Sequence, residues 1–465
     1  MKLRIAALLV ICAAVASLQC RKAEGVVSDP MDREAEDTLV AYLRIDTTNP
    51  PGNETAGATF LRDLLTKNGI AAQLVGDDPQ RQAVYARLAS GANAKAIVLL
   101  SHIDVVPADA ASWRNPPFGG SREGGYIWGR GALDIKSLTI AQAMSLIDLK
   151  RRGVKLRRDV IFLAVPDEEL GGMHGAKALL DNHPELFANA GCVFNEGGGN
   201  ETAVDRVLFW GIEVQQKVPL WLRLTSEAVA GHGAAPTQKN GGAPVKLIRA
   251  LNAVDQIDTP YHLTDVVART AAVAAAVRKD GRASALRLVR EPLDVSRIER
   301  DLPPGYRALL RDTIAITHLS AGNAPNVIPS RAIADLDIRL VPGSTPDAML
   351  ARVRDAAGMN AKVDVLLAGE PSPESPPSGE FYETLARVLR ASAPGSSVAP
   401  IVSPGTSDSR FFRARGIPAY GIAPFKVNYY DADSVHGDDE RIRARFFTEG
   451  VRVMRAIVRE LCVAR

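Results

Sequence analysis

The sequence predicts an α/β fold, a large domain on a mostly parallel central sheet interrupted by a smaller α+β domain. Three observations carry this. Short apolar runs alternate with helix-period segments through the first half of the chain, the pattern of strand–helix–strand units. After about Lys217 the pattern becomes strand, helix, strand, helix, strand. Beyond the Pro/Ser-rich stretch from Pro371 to Gly379, the helix pattern of the first region resumes. The simplest organisation gives residues 30–214 and 371–465 to the large domain and residues 215–370 to the insertion.

Taken in order, Asp32 to Arg44 has helical periodicity and ends near the turn-rich Asn49-Pro50-Pro51-Gly52. A second helix covers Ala56 to Asn68 and closes at Gly69, the usual C-terminal residue. Ala96 to Leu100 is a buried-strand run leading into Ser101-His102. Ile135 to Arg152 reads as a helix stopped by Gly153, Val160 to Val165 as a strand leading into Pro166-Asp167-Glu168-Glu169, and Cys192 to Phe194 as a strand leading into Asn195-Glu196. In the insertion, Leu220 to Thr225 and Ala332 to Leu340 alternate like half-buried strands, Lys362 to Leu367 is a third, and helices cover Ala243 to Val254 and Pro346 to Ala357. Within the long stretch from Asp255 to His318, Thr270 to Ala276 and Tyr306 to Ile316 are expected to be helical. Glu380 to Arg390 is the first helix of the returning domain.

The composition, 46% apolar and 23% charged over 465 residues, is that of a globular protein with a sizeable core. A formal charge of +3 without blocks of like charge gives no reason to propose nucleic acid as a partner. At the N-terminus, Lys2 and Arg4 precede an apolar run from Ile5 to Ala16 that is too short to span a bilayer. Residues 1–25 therefore read as an export signal, and the protein is expected in the periplasm or outside the cell. Cys20 is a candidate lipid anchor, although Gln19 before it is a poor fit, so plain export is favoured. Cys192 and Cys462 are expected to be buried free thiols, and the lack of a Cys-x-x-Cys pair argues against a thiolate zinc site.

The chemistry concentrates at the ends of the predicted strands. In open α/β sheets ligands collect beyond the carboxyl ends of the strands, and His102, Glu168, Glu169 and Glu196 all lie there. Two adjacent carboxylates leaving a buried strand repel each other unless a cation or proton compensates. A pair of divalent ions about 3.5–4 Å apart needs a bridging carboxylate and a few terminal ligands. Imidazole and carboxylate suit zinc, with cobalt or manganese as alternatives. Asp104, two residues past His102, is a reasonable partner for the imidazole's second N–H. Taken singly, each residue has a plainer explanation: a strand-end histidine, an N-cap for Asp134, a solvated loop for the two glutamates.

Together, His102-x-Asp104, Gly131-x-x-Asp134, Asp167-Glu168-Glu169 with its two glycines, Asn195-Glu196-Gly197-Gly198 and His436-x-Asp-Asp-Glu resemble the M20 metallopeptidase family. The match runs from about Asp32 to the C-terminus. The resemblance implies a zinc-peptidase-like catalytic domain, a ferredoxin-like lid or dimerisation domain, and two divalent metal ions. Asp134 would bridge the ions, His102 and Glu196 would complete one site, and Glu169 and His436 the other. Glu168 would be the base that activates water. His232, in Gly231-His232-Gly233, resembles the lid histidine that stabilises the oxyanion, although the family often has serine where Gly233 stands. Asn326, Arg339 and Gly405 resemble residues that hold substrate, Arg339 being suited to a free carboxylate.

The expected activity is hydrolysis of a peptide or N-acyl amino acid, releasing an amino acid with a free α-carboxylate. A dipeptidase or aminopeptidase-like activity on the same centre is the alternative, and a non-catalytic binding protein the remote one. A homodimer is compatible with the resemblance, because in many relatives the partner's lid supplies the histidine. His174, His183, His262 and His318 match no metal role.

Overall fold

The computed structural model describes residues 29–236 and 241–464. The predicted export signal and Cys20 lie outside these residues. The chain opens with α1 (Pro30–Leu43), capped by the Asp29 carboxylate on the amide of Met31 and entered through proline at its first turn. Next come α2 (Thr55–Lys67), β1 (Ala72–Val75), β2 (Ala83–Leu88) and β3 (Ala96–His102). Then follow α3 (Lys136–Arg152), β4 (Val160–Val165), β5 (Ala190–Asn195) and β6 (Arg206–Gln216). α3 stops where Gly153 turns left-handed at φ 59°, a conformation that costs glycine little.

After β6 the chain forms β7 (Val218–Glu227), α4 (Ala243–Asp255), α5 (Asp265–Val277), β8 (Thr313–Ala321), β9 (Arg331–Leu340), α6 (Pro346–Ala357) and β10 (Lys362–Ala368). The chain returns through α7 (Gly379–Ser392), β11 (Ser397–Ser403), β12 (Ala419–Gly421) and α8 (Ala444–Cys462). The large sheet runs β1-β2-β4-β3-β5-β12-β6-β11, with Gly199–Ala203 pairing β6 off this path. β4, β3, β5 and β12 are mutually parallel at its centre, as are β6 and β11, and antiparallel pairs lie towards the β1 edge and between β12 and β6. All residues of β3 and β4 are buried, which explains why both read as continuous apolar runs without alternation. α1, α3 and α8 cover one face; Leu179, Leu180, Phe411 and Phe412 cover the other.

The small sheet is antiparallel in the order β8-β9-β7-β10, and α4 and α6 pack on one of its faces. This is the β-α-β-β-α-β arrangement of ferredoxin-like folds. Its strands alternate because only one face is covered: Leu220, Leu222 and Leu224 are buried, and Trp221 and Arg223 lie on the opposite face.

Two expectations need correction. Tyr306–Ile316 is not one helix: a short turn of helix, Pro304–Ala308, gives way to strand β8 at Thr313. The β-branched Thr313, Ile314 and Ile316 pair with β9 instead, and pairing overrides the local helical period. The whole span 215–370 is also not spent on the insertion. Val266, Val267, Ala271 and Ala274 of α5, with Leu286, Ile298 and Leu310 after it, belong to the large domain's core beside Phe209 and Val402. Burying these apolar side chains on β6 and β11 brings the chain back across the boundary before β8. The large sheet also contains β1, β2, β6, β11 and β12, which carry no expectation from sequence. Cys192 and Cys462 are buried and free. No helix among the described residues is long and apolar enough to cross a membrane.

Candidate metal centre

Three parallel strands deliver most of the site. β3 ends at His102, which sits across the ladder from Val165 at the end of β4. Glu168 and Glu169 begin the short turn after β4, and Glu196 directly follows β5. Asp134 comes from the glycine-rich loop before α3, and His436 from the segment before α8.

The side chains converge on two clusters that share one residue. His102 Nε2 lies 3.1 Å from Asp134 Oδ1 and 3.7 Å from Glu196 Oε1. His436 Nε2 lies 3.1 Å from Asp134 Oδ2 and 3.2 Å from Glu169 Oε2. Asp134 thus turns one oxygen to each triad, His102–Asp134–Glu196 and Asp134–Glu169–His436, and each triad has ligand-atom spacing suited to one ion. The His102 side chain is 1% exposed and that of His436 is 52% exposed, so one triad is enclosed and the other opens outward.

The donor set fits divalent cations. Glu168 Oε1, Glu169 Oε1 and Glu196 Oε1 are buried without a protein hydrogen-bond partner. Burial first, and then neighbouring carboxylates, push Glu168, Glu169 and Glu196 above the usual carboxylate range. Hydrogen bonds to Asp134 and Glu169 push His436 up to about 10. Buried acids that need protons to coexist are acids a cation would relieve. Oxygen and imidazole donors without thiolate suit zinc, cobalt or manganese.

A second layer holds these candidate ligands in place. His102 Nδ1 donates to the backbone carbonyl of Asp104 at 2.9 Å, whereas the nearest Asp104 carboxylate oxygen is 3.6 Å away. The sequence suggested the carboxylate for that task. It is instead drawn to the amides of Glu168 (3.1 Å) and Glu169 (3.0 Å) and to Asn49 Nδ2 (3.0 Å). Asp104 therefore fixes the tautomer of His102 and the turn that presents two acids. Glu440, given no role from sequence, does the same for Asp134. Its Oε1 accepts the amides of Leu133 (2.7 Å) and Asp134 (3.0 Å); its Oε2 accepts the amide of Gly131 (2.8 Å) and Arg130 Nη1 (2.9 Å). Its only signal in sequence is its place at the end of the His436-x-Asp-Asp-Glu motif.

Residues 98–460 match the family model for peptidase family M20/M25/M40. The chain belongs to that family. It is a metal-dependent hydrolase of the M20 peptidase and aminoacylase type. Among relatives, the N-fatty-acyl-amino acid synthase/hydrolase PM20D1 of Xenopus tropicalis is 31% identical over 357 residues, 74% of this chain and 68% of that one. Aminoacylase-1 of Sus scrofa is 26% identical over 421 residues, 89% of this chain and 91% of that one. In fold, the chain is similar to the M20 family metallo-carboxypeptidase Sso-CP2 of Sulfolobus solfataricus, with a TM-score of 0.73 at 20% identity, covering 91% of this chain and 98% of that one.

In this M20 enzyme a cavity of about 390 Å³ opens over the centre, lined by Asp134, Glu168, Glu169, Glu196 and His436 on one side and by Trp221, Arg339 and Gly405 on the other. Arg339 is already engaged: Nε donates to Asp337 Oδ1 at 2.7 Å and Nη2 to Oδ2 at 3.1 Å. Trp221 and Asp337 were not singled out from the sequence; the same-face spacing of Asp337 and Arg339 in β9 was the available signal. His232 and Asn326 are brought together elsewhere. His232 pairs with Val327 in a short two-stranded tip of the small domain, the amide of Gly233 donates to Asn326 O at 2.8 Å, and both residues are exposed and outside the cavity lining. His174, His183, His262 and His318 lie outside both triads.

Proposed function

We propose that the chain is a dinuclear zinc amide hydrolase that releases an amino acid with a free α-carboxylate from a peptide or an N-acyl amino acid. The observation that carries this is the shared Asp134 carboxylate between two triads, facing Arg339 across one cavity. His102, Asp134 and Glu196 would hold one ion, and Asp134, Glu169 and His436 the other. Such a pair, when bound, polarises the scissile carbonyl and acidifies water.

The remaining steps belong to the protein. Glu168 is in contact with neither histidine ligand at hydrogen-bonding distance, and its Oε1 has no protein partner. It takes the proton of the attacking water and returns it to the leaving amine. Burial and the neighbouring Glu196 hold its carboxyl above the usual carboxylate range. Arg339 keeps the end-on edge of its guanidinium, Nη1 with the second Nη2 hydrogen, for the substrate carboxylate. His232 contributes to the oxyanion only after the small domain moves, or from the small domain of a second copy. Similarity to the N-fatty-acyl-amino acid synthase/hydrolase PM20D1 and to aminoacylase-1 supports the same substrate class.

The test is a panel of N-acyl amino acids and peptides assayed with zinc, each with a free or amidated C-terminus. Cleavage is expected with a blocked N-terminus and refusal with an amidated C-terminus. The reverse pattern, a required free amine with indifference to the C-terminus, would replace this reading with an aminopeptidase-like one.

A further inference from the structure

The wall of the cavity opposite the metal ligands is built from the uncovered face of the small sheet. Trp221 of β7 and Asp337 of β9 are direct partners across the ladder, and Arg339 lies two residues further along the same face. Trp221 Nε1 donates to Asp337 Oδ1 at 3.0 Å, so one carboxylate holds both the indole and the guanidinium. The guanidinium carbon lies 5.8 Å from the centre of the indole ring. Apart from Val106, Trp221 supplies the only apolar side chain among the described residues lining the cavity; the others are acids, His436, Arg339, hydroxyl residues and glycines.

We infer that Trp221 sets the side-chain preference of the enzyme, forming the wall against which the side chain of the released amino acid packs, and that Asp337 is the positioning residue that keeps Trp221 and Arg339 in register. The inference rests on the reading that Arg339 binds the free carboxylate. A residue whose carboxylate sits on the open edge of Arg339 begins its side chain two bonds from the carboxylate carbon, within reach of the ring. Apolar and aromatic side chains gain from covering the indole. A lysine side chain would meet the Arg339 cation, and a glycine leaves the indole bare.

Steady-state kinetics on metal-reconstituted enzyme test this with N-acetyl derivatives of glycine, alanine, leucine, phenylalanine and lysine. The wild type is expected to favour phenylalanine over alanine by about tenfold or more in kcat/KM, the discrimination an apolar pocket supports. In Trp221→Ala that ratio should fall to about threefold or less, and Trp221→Phe should retain the apolar preference. Trp221→Gln, which keeps bulk in the wall but removes its apolar face, serves the same comparison if the alanine variant does not fold. Asp337→Asn should raise KM about tenfold with little change in kcat, because it loosens the anchors without touching the reacting atoms. An unchanged ratio in Trp221→Ala, in an enzyme that turns these substrates over, overturns this inference alone. Loss of kcat and thermal stability in Asp337→Asn without a change in KM overturns the positioning role. A wild type that cleaves none of the panel overturns the reading of Arg339 and this inference with it.

Discussion

Glu168 and Glu169 are neighbours in sequence that meet different surroundings. Glu169 Oε2 lies 3.2 Å from His436, whereas Glu168 Oε1 faces no donor. Their backbone amides are both tied to Asp104, so the turn is fixed while the two side chains are free to take separate tasks. Replacing Glu168 with glutamine keeps its volume and removes only the proton acceptor. The variant is expected to bind the same metal equivalents per chain by elemental analysis while kcat falls about 10²–10⁴-fold. Activity close to wild type would assign the proton to another group. The doubled acid was legible in the sequence because adjacent carboxylates after a buried strand demand compensation. Glu440 was not, because its partners are backbone amides and an arginine more than 300 residues away, and no local pattern announces them.

At the scale of elements, the strands that bear ligands were readable and the connection between the domains was not. β3, β4 and β5 are buried on both faces, so their runs are short, apolar and followed at once by polar residues. Lys217 stands between β6 and β7, where the chain passes from one sheet to the other. It is 1% exposed, and its ammonium donates to the carbonyls of Ala308 (3.0 Å) and Arg311 (3.0 Å) and to Thr313 Oγ1 (3.1 Å). It thereby ties the crossing at residue 217 to the one at 308–313. Lys217→Met keeps the stem and strands these acceptors, and should lower unfolding free energy by about 2–3 kcal/mol in urea denaturation. An unchanged midpoint would mean that water replaces the ammonium without loss. Nothing in the local sequence shows this staple, since Lys217 reads as an ordinary solvated lysine.

For the whole molecule, the centre couples stability to pH and metal. Without a cation, Glu168, Glu169 and Glu196 hold protons in the folded state above the pH at which the unfolded chain releases them. His102, raised by Glu196 and its hydrogen bonds against the opposing effect of burial, and His436, raised to about 10, stay protonated when folded above their unfolded value of 6.5. Both sets make the folded state bind more protons than the unfolded one, so stability falls as pH rises. The metal-free protein should therefore lose melting temperature steadily from about pH 5 to pH 8, first through the acids and then through the histidines. Reloading with zinc should abolish most of that slope; a flat profile in the metal-free protein would show that the acids do not interact as their burial implies. The sequence by itself determined the two-domain α/β plan, the strands that end at the candidate ligands and the side chains that the two triads bring together, because burial periodicity and strand-end acids are local signals. Only the tertiary structure decided which oxygen of Asp134 faces which triad, that Arg339 and Trp221 share Asp337, that α5 returns to the large core, and that His232 stands outside the cavity. Those are matters of long-range pairing and packing, in which a residue's role is set by partners that its own neighbours in the chain do not reveal.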